Sequence, residues 1–253
     1  MNADDAKLIE LSSGVPILYE DNHVLVVVKP VNMPTQADDS RDPDLLSVLK
    51  AGVKERYGKP GNVFLGLVHR LDRPVGGAMV FARTSKAASR LSDAVRTRAF
   101  GKTYFAVVHG AMPQPNGTLR HYLVKDAKSN TVQAVDRTHP EAKEAILDYN
   151  VLASSPSAAE GHGLQLVEIK LQTGRPHQIR VQFSTIGHPL YGDQKYGGRY
   201  SEPGQQIALW SVLLGFEHPT TKAPMRFVAA PPDLYPWTIW SASIGDFLQQ
   251  IHK

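Results

Sequence analysis

The segment His69-Arg70-Leu71-Asp72-Arg73 places one carboxylate between two guanidinium groups, shortly before a proline and two glycines. Nearby cations favour the ionised form of a carboxyl group, so Asp72 should stay charged. An ionised, well-positioned carboxylate can act as a nucleophile or as a base. The same residue types also suit a plain turn, in which an aspartate only binds the backbone. Spacing alone leaves both interpretations open.

A second segment, Thr173–Arg180, holds two arginines, a histidine and a glutamine around one proline. Pro176 suits the first turn of a helix, so we predict a helix over 176–186 that stops at the following glycine. Free N–H groups at a helix start attract anions, and the fork of Arg175 matches phosphate or carboxylate. Arg180 can turn inward only beside a carboxylate, because a lone buried charge is too costly. Two surface arginines beside a capping threonine are the simpler alternative.

A third segment, Gly187–Gly198, combines four glycines, one proline, two tyrosines and one acid. This composition predicts a rigid loop with an aromatic surface. Bases of nucleic acids stack on aromatic rings, although tyrosines in loops more often pack as wedges against the core.

The 253 residues carry a formal net charge of +4 that is unevenly distributed. Residues 1–44 hold three basic and nine acidic side chains, so the other 25 basic and 15 acidic side chains give a net +10. The densest basic stretch, residues 83–102, holds six Lys or Arg side chains and one acid. A local positive potential attracts polyanions, so this stretch favours a nucleic-acid partner. A solvated face of a basic helix is the alternative.

Composition and motifs exclude several classes of protein. The absence of cysteine excludes disulfide frameworks, thiol catalysis and Cys-ligated metal sites. No apolar run approaches the ~20 residues of a membrane span, and the polar, acidic start lacks the pattern of a signal peptide. Phosphate-binding glycine motifs and metal-binding His-x-x-x-His spacings are also missing. We therefore expect a cytoplasmic protein.

Strand-like runs outnumber helical patterns along the chain. Helical spacing of apolar residues predicts helices over about 44–58, 84–101, 176–186 and 238–251. Short apolar runs predict strands at 17–19, 24–28, 63–68, 78–82, 104–108, 118–124, 131–135, 145–152, 164–171, 206–214 and 225–229. Because many strands follow one another directly, the order predicts an α+β fold with much antiparallel sheet. We expect a flexible lead-in over 1–14 and a single catalytic domain over 15–253.

Five blocks resemble the RluA-type RNA pseudouridine synthases, and they occur in family order. The two most specific are VHRLDRPVGGAMVFART at 68–84 and LQTGRPHQIRVQFSTIGHPLYGDQKYGG at 171–198. The others are VVVKPVNMPTQ at 26–36, GKTYFAVVHG at 101–110 and QIALWSVLLGFEHP at 206–219. The chain departs from the family pattern at several loop positions, none of which removes a proposed catalytic group.

The resemblance implies that the protein isomerises uridines of ribosomal or transfer RNA to pseudouridine without a cofactor or metal. It also implies a long, bent, mostly antiparallel sheet flanked by helices and loops. It makes Asp72 the catalytic aspartate, Tyr104 the active-site tyrosine and Arg180 the arginine that pairs with the aspartate. Arg70 would occupy the space left by the everted base, and Leu209 would line the pocket. The expected RNA contacts are His69, Arg70, Arg90, Lys102, Arg175, His177, Gln178 and Leu209.

Two other functions are open at this point. A non-catalytic RNA-binding or RNA-chaperone module could use the same fold, but it would have no chemical reason to keep Asp72, Tyr104 and Arg180. A metal-dependent nuclease would use His69, Asp72 and His177, whose spacing matches no metal-ligand pattern. We expect no obligate protein partner and no membrane contact, with a monomer as the default state.

Overall fold

The computed structural model describes residues 9–10, 14–156 and 163–252. The chain packs into two compact units. The first unit runs to Gly101 and also takes in residues 211–229, whereas the second takes in 102–210 and the residues from 230 onwards. Most of the expected lead-in over 1–14 lies outside the described residues, and the single catalytic domain over 15–253 stays a prediction.

The elements follow one another in the order typical of an α+β protein. In chain order they are β1 (Ile9–Glu10), β2 (Pro16–Glu20), β3 (Val24–Lys29), α1 (Leu45–Arg56), β4 (Gly66–Leu67), β5 (Gly76–Ala82), α2 (Ser85–Arg96), β6 (Gly101–His109), β7 (Asn116–Asp126), β8 (Thr131–Val135), β9 (Lys143–Ser154), β10 (Leu164–Leu171), α3 (Gln178–Thr185), β11 (Leu209–Glu217), β12 (Pro224–Val228) and α4 (Ser241–His252). The predicted α+β class is confirmed. Within the described ranges, no helix is long and apolar enough to cross a membrane.

The first unit is built on a sheet with the strand order β1-β2-β3-β5-β11, in which β12 pairs with β11 and β4 with β5. Strand β5 is buried along its whole length, which suits a central strand covered on both faces. Helix α2 packs Ala87 and Leu91 onto the apolar side chains of β3 and β5. Its other face, which carries the basic residues, is left to solvent.

The predicted helix starts of the first unit are confirmed by their caps. The carboxylate of Asp44 accepts from the N–H of Ser47 at 3.0 Å, and the hydroxyl of Thr84 accepts from the N–H of Ala87 at 3.1 Å. The predicted end of α2 at Gly101 is wrong. The helix ends at Arg96, because Arg98 itself adopts the left-handed conformation with φ 62°.

The strand predicted over 63–68 is also wrong for most of its length. Only Gly66 and Leu67 pair with β5, and the side chain of Phe64 is half exposed. Helix α2 approaches this segment so closely that a Cβ at Gly66 would lie 2.8 Å from the Cβ of Ala88. The apolar run is therefore shared between a short strand and a loop beneath the helix.

The second unit is built on an antiparallel sheet with the strand order β6-β10-β9-β7-β8. Helix α3 covers one part of this sheet and packs Val181 against Leu123, Val132 and Ala145. A 3-10 turn at Trp237–Trp240 leads into α4, whose Phe247 ring lies 4.8 Å from that of Phe105 on β6. The long strands of this unit thus receive their apolar cover from the helices that follow them.

Candidate active site

Asp72 lies in a tight turn that joins β4 to β5 in the first unit. The N–H of Val75 closes the turn by donating to the carbonyl oxygen of Asp72 at 2.9 Å. The side chains of Leu71 and Val75 are buried on either side, whereas Asp72 is only half-buried. The backbone is therefore anchored on both sides of an acidic residue that solvent can reach.

Lys29, the last residue of β3, holds this turn from the interior. Its side chain is fully buried, and its Nζ donates to the carbonyl oxygens of Pro30 at 2.9 Å, Arg73 at 3.0 Å and Val75 at 2.7 Å. An ammonium group has three donors, and all three are used here. The lysine thus ties the end of a central strand to a turn that lies 44 to 46 residues further along the chain.

Burial lowers the pKa of the Lys29 ammonium to about 7, because the charged form is disfavoured away from water. The carboxylate of Asp72 acts in the opposite direction and favours the charged form, whereas Arg73 disfavours it. Lys29 and Asp72 are therefore electrostatically coupled. A change in the protonation of Lys29 near neutral pH changes the electrostatic field at Asp72.

Two further contacts hold the turn. In the interior, the hydroxyl of Thr35 donates to the carbonyl oxygen of Leu71 at 2.8 Å. At the surface, the guanidinium of Arg73 pairs with the carboxylate of Asp42. The arginine that follows Asp72 in the sequence is thus engaged by another acid of the same unit.

The two residues that precede Leu71 have different environments. His69 is buried, its Nε2 accepts from the N–H of Val80 at 3.2 Å, and its ring lies 5.4 Å from that of Phe100. This histidine supports the loop from below. Arg70 is exposed, so its side chain is available to RNA. The RNA contacts expected of both residues stay predictions.

Tyr104 lies on β6 in the second unit, where it faces Ile169 of β10 across the ladder. Its side chain is buried, with 5% exposure. Lys102 precedes it on the same strand, and burial lowers the pKa of the Lys102 ammonium. The Lys102 Nζ lies so close to the loop after β10 that a Cβ at Gly174 would be 3.4 Å from it. The strand thereby presents a half-buried cation beside the Arg175 segment.

Arg180, on α3, points into the second unit and pairs with Asp193. Its Nε and Nη2 donate to the two carboxylate oxygens at 2.8 and 2.7 Å, and the side chains of both residues are almost completely buried. The carboxylate also accepts from the N–H groups of Lys195 and Tyr196, at 3.0 and 3.1 Å. This bidentate pair fixes both the position and the plane of the guanidinium.

The sequence analysis did not identify Asp193 as a functional residue. It predicted that Arg180 can be buried only beside a carboxylate. Asp193 supplies that carboxylate from the glycine-rich loop, 13 residues after Arg180. A glycine before it allows the tight approach, because Gly192 has φ +70° and a Cβ there would meet the carbonyl of Gln206 at 2.3 Å. The pairing of Arg180 with Asp72 stays a prediction.

The helix predicted from Pro176 begins two residues later, at Gln178, so this prediction is corrected. The buried Gln178 carboxamide accepts from the hydroxyl of Thr173 at 2.8 Å and from the N–H of Arg175 at 2.9 Å. It also donates to the carbonyl oxygen of Ile146 at 3.1 Å. These bonds hold 173–177 in a turn, and Gln178 therefore anchors the segment from the interior.

His177, at the start of α3, adopts the left-handed conformation with φ 50°. Its Nδ1 lies 2.6 Å from the hydroxyl of Tyr196, which also accepts from the N–H of Val132 at 2.9 Å. The guanidinium of Arg180 lies over the same tyrosine ring, 5.1 Å from its centroid. The structure thus joins His177 and Arg180 through Tyr196, which packs as a wedge rather than as an open stacking surface.

The remaining expected RNA contacts lie on separate elements. Arg175 is exposed, and its Nε donates to the carbonyl oxygen of Glu144 at 2.9 Å. Arg90 lies on the exposed face of α2, and Leu209 is buried at the start of β11. Among the described residues, no group of three or more His, Asp or Glu side chains is arranged to hold a metal ion.

Comparisons with known proteins agree with this arrangement. The family model described as RNA pseudouridylate synthase matches residues 23–185. The chain is 38% identical over 226 residues to the uncharacterized RNA pseudouridine synthase YjbO of Bacillus subtilis, covering 88% of this chain and 75% of that protein. It is 33% identical over 224 residues to the ribosomal large subunit pseudouridine synthase D of Yersinia pestis, covering 88% and 65%.

Solved structures show the same fold. Human RNA pseudouridylate synthase domain containing 1 matches with a TM-score of 0.71 at 24% identity, covering 94% of this chain and 95% of that chain. The family match covers more than half of the chain and includes the Asp72 turn and all of α3. The chain therefore belongs to the RNA pseudouridylate synthase family and is an RNA pseudouridine synthase, an isomerase.

Proposed function

We propose that Asp72 is the catalytic carboxylate with which this enzyme converts uridine to pseudouridine in structured RNA. The observation that carries the proposal is the anchoring of its turn. Buried Lys29 and Thr35 hold the backbone around Asp72 through three hydrogen bonds, while Asp72 itself remains within reach of solvent. A positioned and accessible carboxylate is what the reaction needs.

The reaction rearranges bonds without an external reactant. The C1′–N1 bond breaks, the detached uracil turns, a C1′–C5 bond forms, and C5 loses a proton while N1 gains one. Asp72 has two routes in this sequence: it attacks C1′ as a nucleophile, or it removes a sugar proton and assists the loss of uracil. We assign Tyr104 to stacking on the freed base and Arg180 to orienting the carboxylate.

We further propose that the target uridine leaves its stack before the chemistry, because its C1′–N1 bond is not accessible within a helix. Extrusion costs a few kcal/mol. The exposed side chain of Arg70, two residues before Asp72, is suited to occupy the vacated space, and Leu209 is assigned to the pocket wall. The cytoplasmic location expected from the sequence stays a prediction.

Ribosomal RNA is our first candidate substrate, and transfer RNA is the second. Relatives that are 32 to 33% identical are named ribosomal large subunit pseudouridine synthase D. Mapping pseudouridines in total RNA from cells with and without the protein tests this assignment. Loss of one or more sites from large-subunit ribosomal RNA is expected. A change confined to transfer RNA would redirect the assignment, and an unchanged map would favour the non-catalytic RNA-binding module.

The role of Asp72 is tested by Asp72→Asn, measured as tritium release from C5-labelled uridine in RNA. We expect the rate to fall by at least about a thousandfold, as when a reacting group is removed, with RNA binding retained. Asp42→Asn is the matched control, because Asp42 is an exposed acid that pairs with Arg73 of the same turn. Comparable losses in both variants, or full turnover by Asp72→Asn, would contradict the assignment.

A further inference from the structure

A groove in the first unit lies between the exposed face of α2 and the turn that joins β11 to β12. It is wide open to solvent and has a volume of about 540 Å³. The residues that line it are all polar or charged: Ser89, Arg90, Ser92, Asp93, Arg96 and Lys222. The lining therefore carries three cations, one acid and two hydroxyl groups.

The turn on the far side of the groove is rigid. The Nδ1 of His218 accepts from the N–H groups of Thr220 and Thr221, at 3.2 and 2.9 Å. The Nε2 of His218 lies 2.8 Å from the carboxylate of Asp21. Lys222 then adopts the left-handed conformation with φ 65°. The lysine is thus held beside the helix by a preformed turn.

Arg90 joins the helix to this turn and keeps most of its donors. Its Nη1 donates to the carbonyl oxygen of Pro219 at 2.6 Å. A guanidinium has five N–H groups, so four remain for a ligand. Arg90 therefore links the two walls of the groove and uses only one of its N–H groups for this contact.

The other two cations are only weakly engaged by acids. Arg96 pairs with Asp93, but both side chains are more than half exposed, so water and salt screen the pair and it is weak. The Nζ of Lys222 lies 4.0 Å from the carboxylate of Glu217, beyond hydrogen-bond distance. A phosphate can therefore compete for both cations.

We propose that this groove, which we call the α2 groove, binds the sugar-phosphate backbone of the RNA outside the target nucleotide. The proposal rests on RNA being the substrate of this enzyme. Arginine, lysine and serine are the side chains that contact phosphates in nucleic-acid complexes. The core of a protein–protein interface is enriched in apolar and aromatic residues, and no such residue lines the α2 groove.

The test removes two cations whose side chains are mostly exposed, in the double variant Arg96→Gln/Lys222→Gln. The control is Lys54→Gln/Lys59→Gln, which removes the same charge from two exposed lysines elsewhere in the first unit. The probe is large-subunit ribosomal RNA transcribed in vitro, which contains no pseudouridine. Its dissociation constant is measured by filter binding at several salt concentrations.

We expect the α2-groove variant to bind about tenfold more weakly at physiological salt, and the control less than twofold more weakly. The slope of log K against log salt should fall by about 1.4 to 1.8 for two lost phosphate contacts, and by about half of that in each single variant. In the tritium-release assay, KM should rise with kcat unchanged. An unchanged salt slope, or an equal effect in the control, would overturn the proposal.

The outcome is separable from that of the Asp72 assignment. If this RNA is not isomerised by the wild-type enzyme, the binding constant and the salt slope still report on the α2 groove. If Asp72→Asn abolishes turnover while the α2-groove variant keeps its salt slope, the catalytic assignment stands and the groove proposal fails.

Discussion

Replacing Lys29 by methionine removes the ammonium that holds the Asp72 turn while keeping the length of the side chain. Three backbone carbonyl oxygens lose their donor, and that of Val75 is fully buried. At pH 8.5 Lys29 is mostly the neutral amine, which has two N–H groups. At about 1 kcal/mol per lost hydrogen bond, the variant should therefore be less stable by about 2 kcal/mol at this pH. Burying the charged ammonium group destabilises the wild type, and methionine avoids this cost. The cost depends on pH, because it applies only while Lys29 is protonated.

The pH dependence follows from the lowered pKa of Lys29. The folded protein releases the Lys29 proton near pH 7, whereas the unfolded chain keeps it to about pH 10.4. Between these values the unfolded state binds more protons, so the stability of the wild type rises with pH. From pH 6.5 to 8.5 this increase amounts to about 2 kcal/mol, and Lys29→Met lacks it. The variant should therefore be about as stable as the wild type at pH 6.5.

The measurement is chemical unfolding of wild type and variant at pH 6.5, 7.5 and 8.5, followed by tryptophan fluorescence. Other titrating groups cancel in the difference between the two proteins. Lys54→Met, at an exposed lysine of α1, serves as the control and should show a small, pH-independent difference. A constant difference between wild type and Lys29→Met over this range would refute the reasoning, because Lys29 would then have the same pKa in both states.

Two further substitutions test the packing around the candidate site. Gly77→Ala should cost about 3 kcal/mol or more by thermal unfolding, because Gly77 has φ +115° and the new Cβ would lie 2.3 Å from the carbonyl oxygen of Ser211. Gly61→Ala, with open space around the Cβ, should be close to neutral, and similar effects at both positions would contradict the close packing of Gly77 against Ser211. Asp193→Asn should cost about 3 to 5 kcal/mol, because it removes the charge of the buried carboxylate that holds the guanidinium of Arg180 in a bidentate pair. A drop of less than 1 kcal/mol in the unfolding free energy would show that the pair is not closed in solution.

Local sequence patterns predicted those helices whose start depends only on neighbouring residues. Helical spacing of apolar residues is sufficient to place the starts of α1 and α2 within one residue of where the structure has them. The start of α3 was placed wrongly, because a proline in the first turn is only a preference. The carboxamide of Gln178 binds Thr173 and Arg175 and thereby delays the helix.

Asp72, Tyr104 and Arg180 were identifiable as candidate catalytic residues through the resemblance of three contiguous sequence blocks to the family. The residues that position these side chains were not identifiable from the sequence. Lys29 appeared in the sequence only as part of the block at 26–36, with no role assigned, yet it is the buried donor to a turn more than 40 residues away. In the sequence Asp193 is only one acid in a glycine-rich loop, and its pairing with Arg180 is evident only in the folded structure. The residue type determines which chemistry a side chain can perform. Its burial and its partners depend on distant segments that only the folded chain brings together.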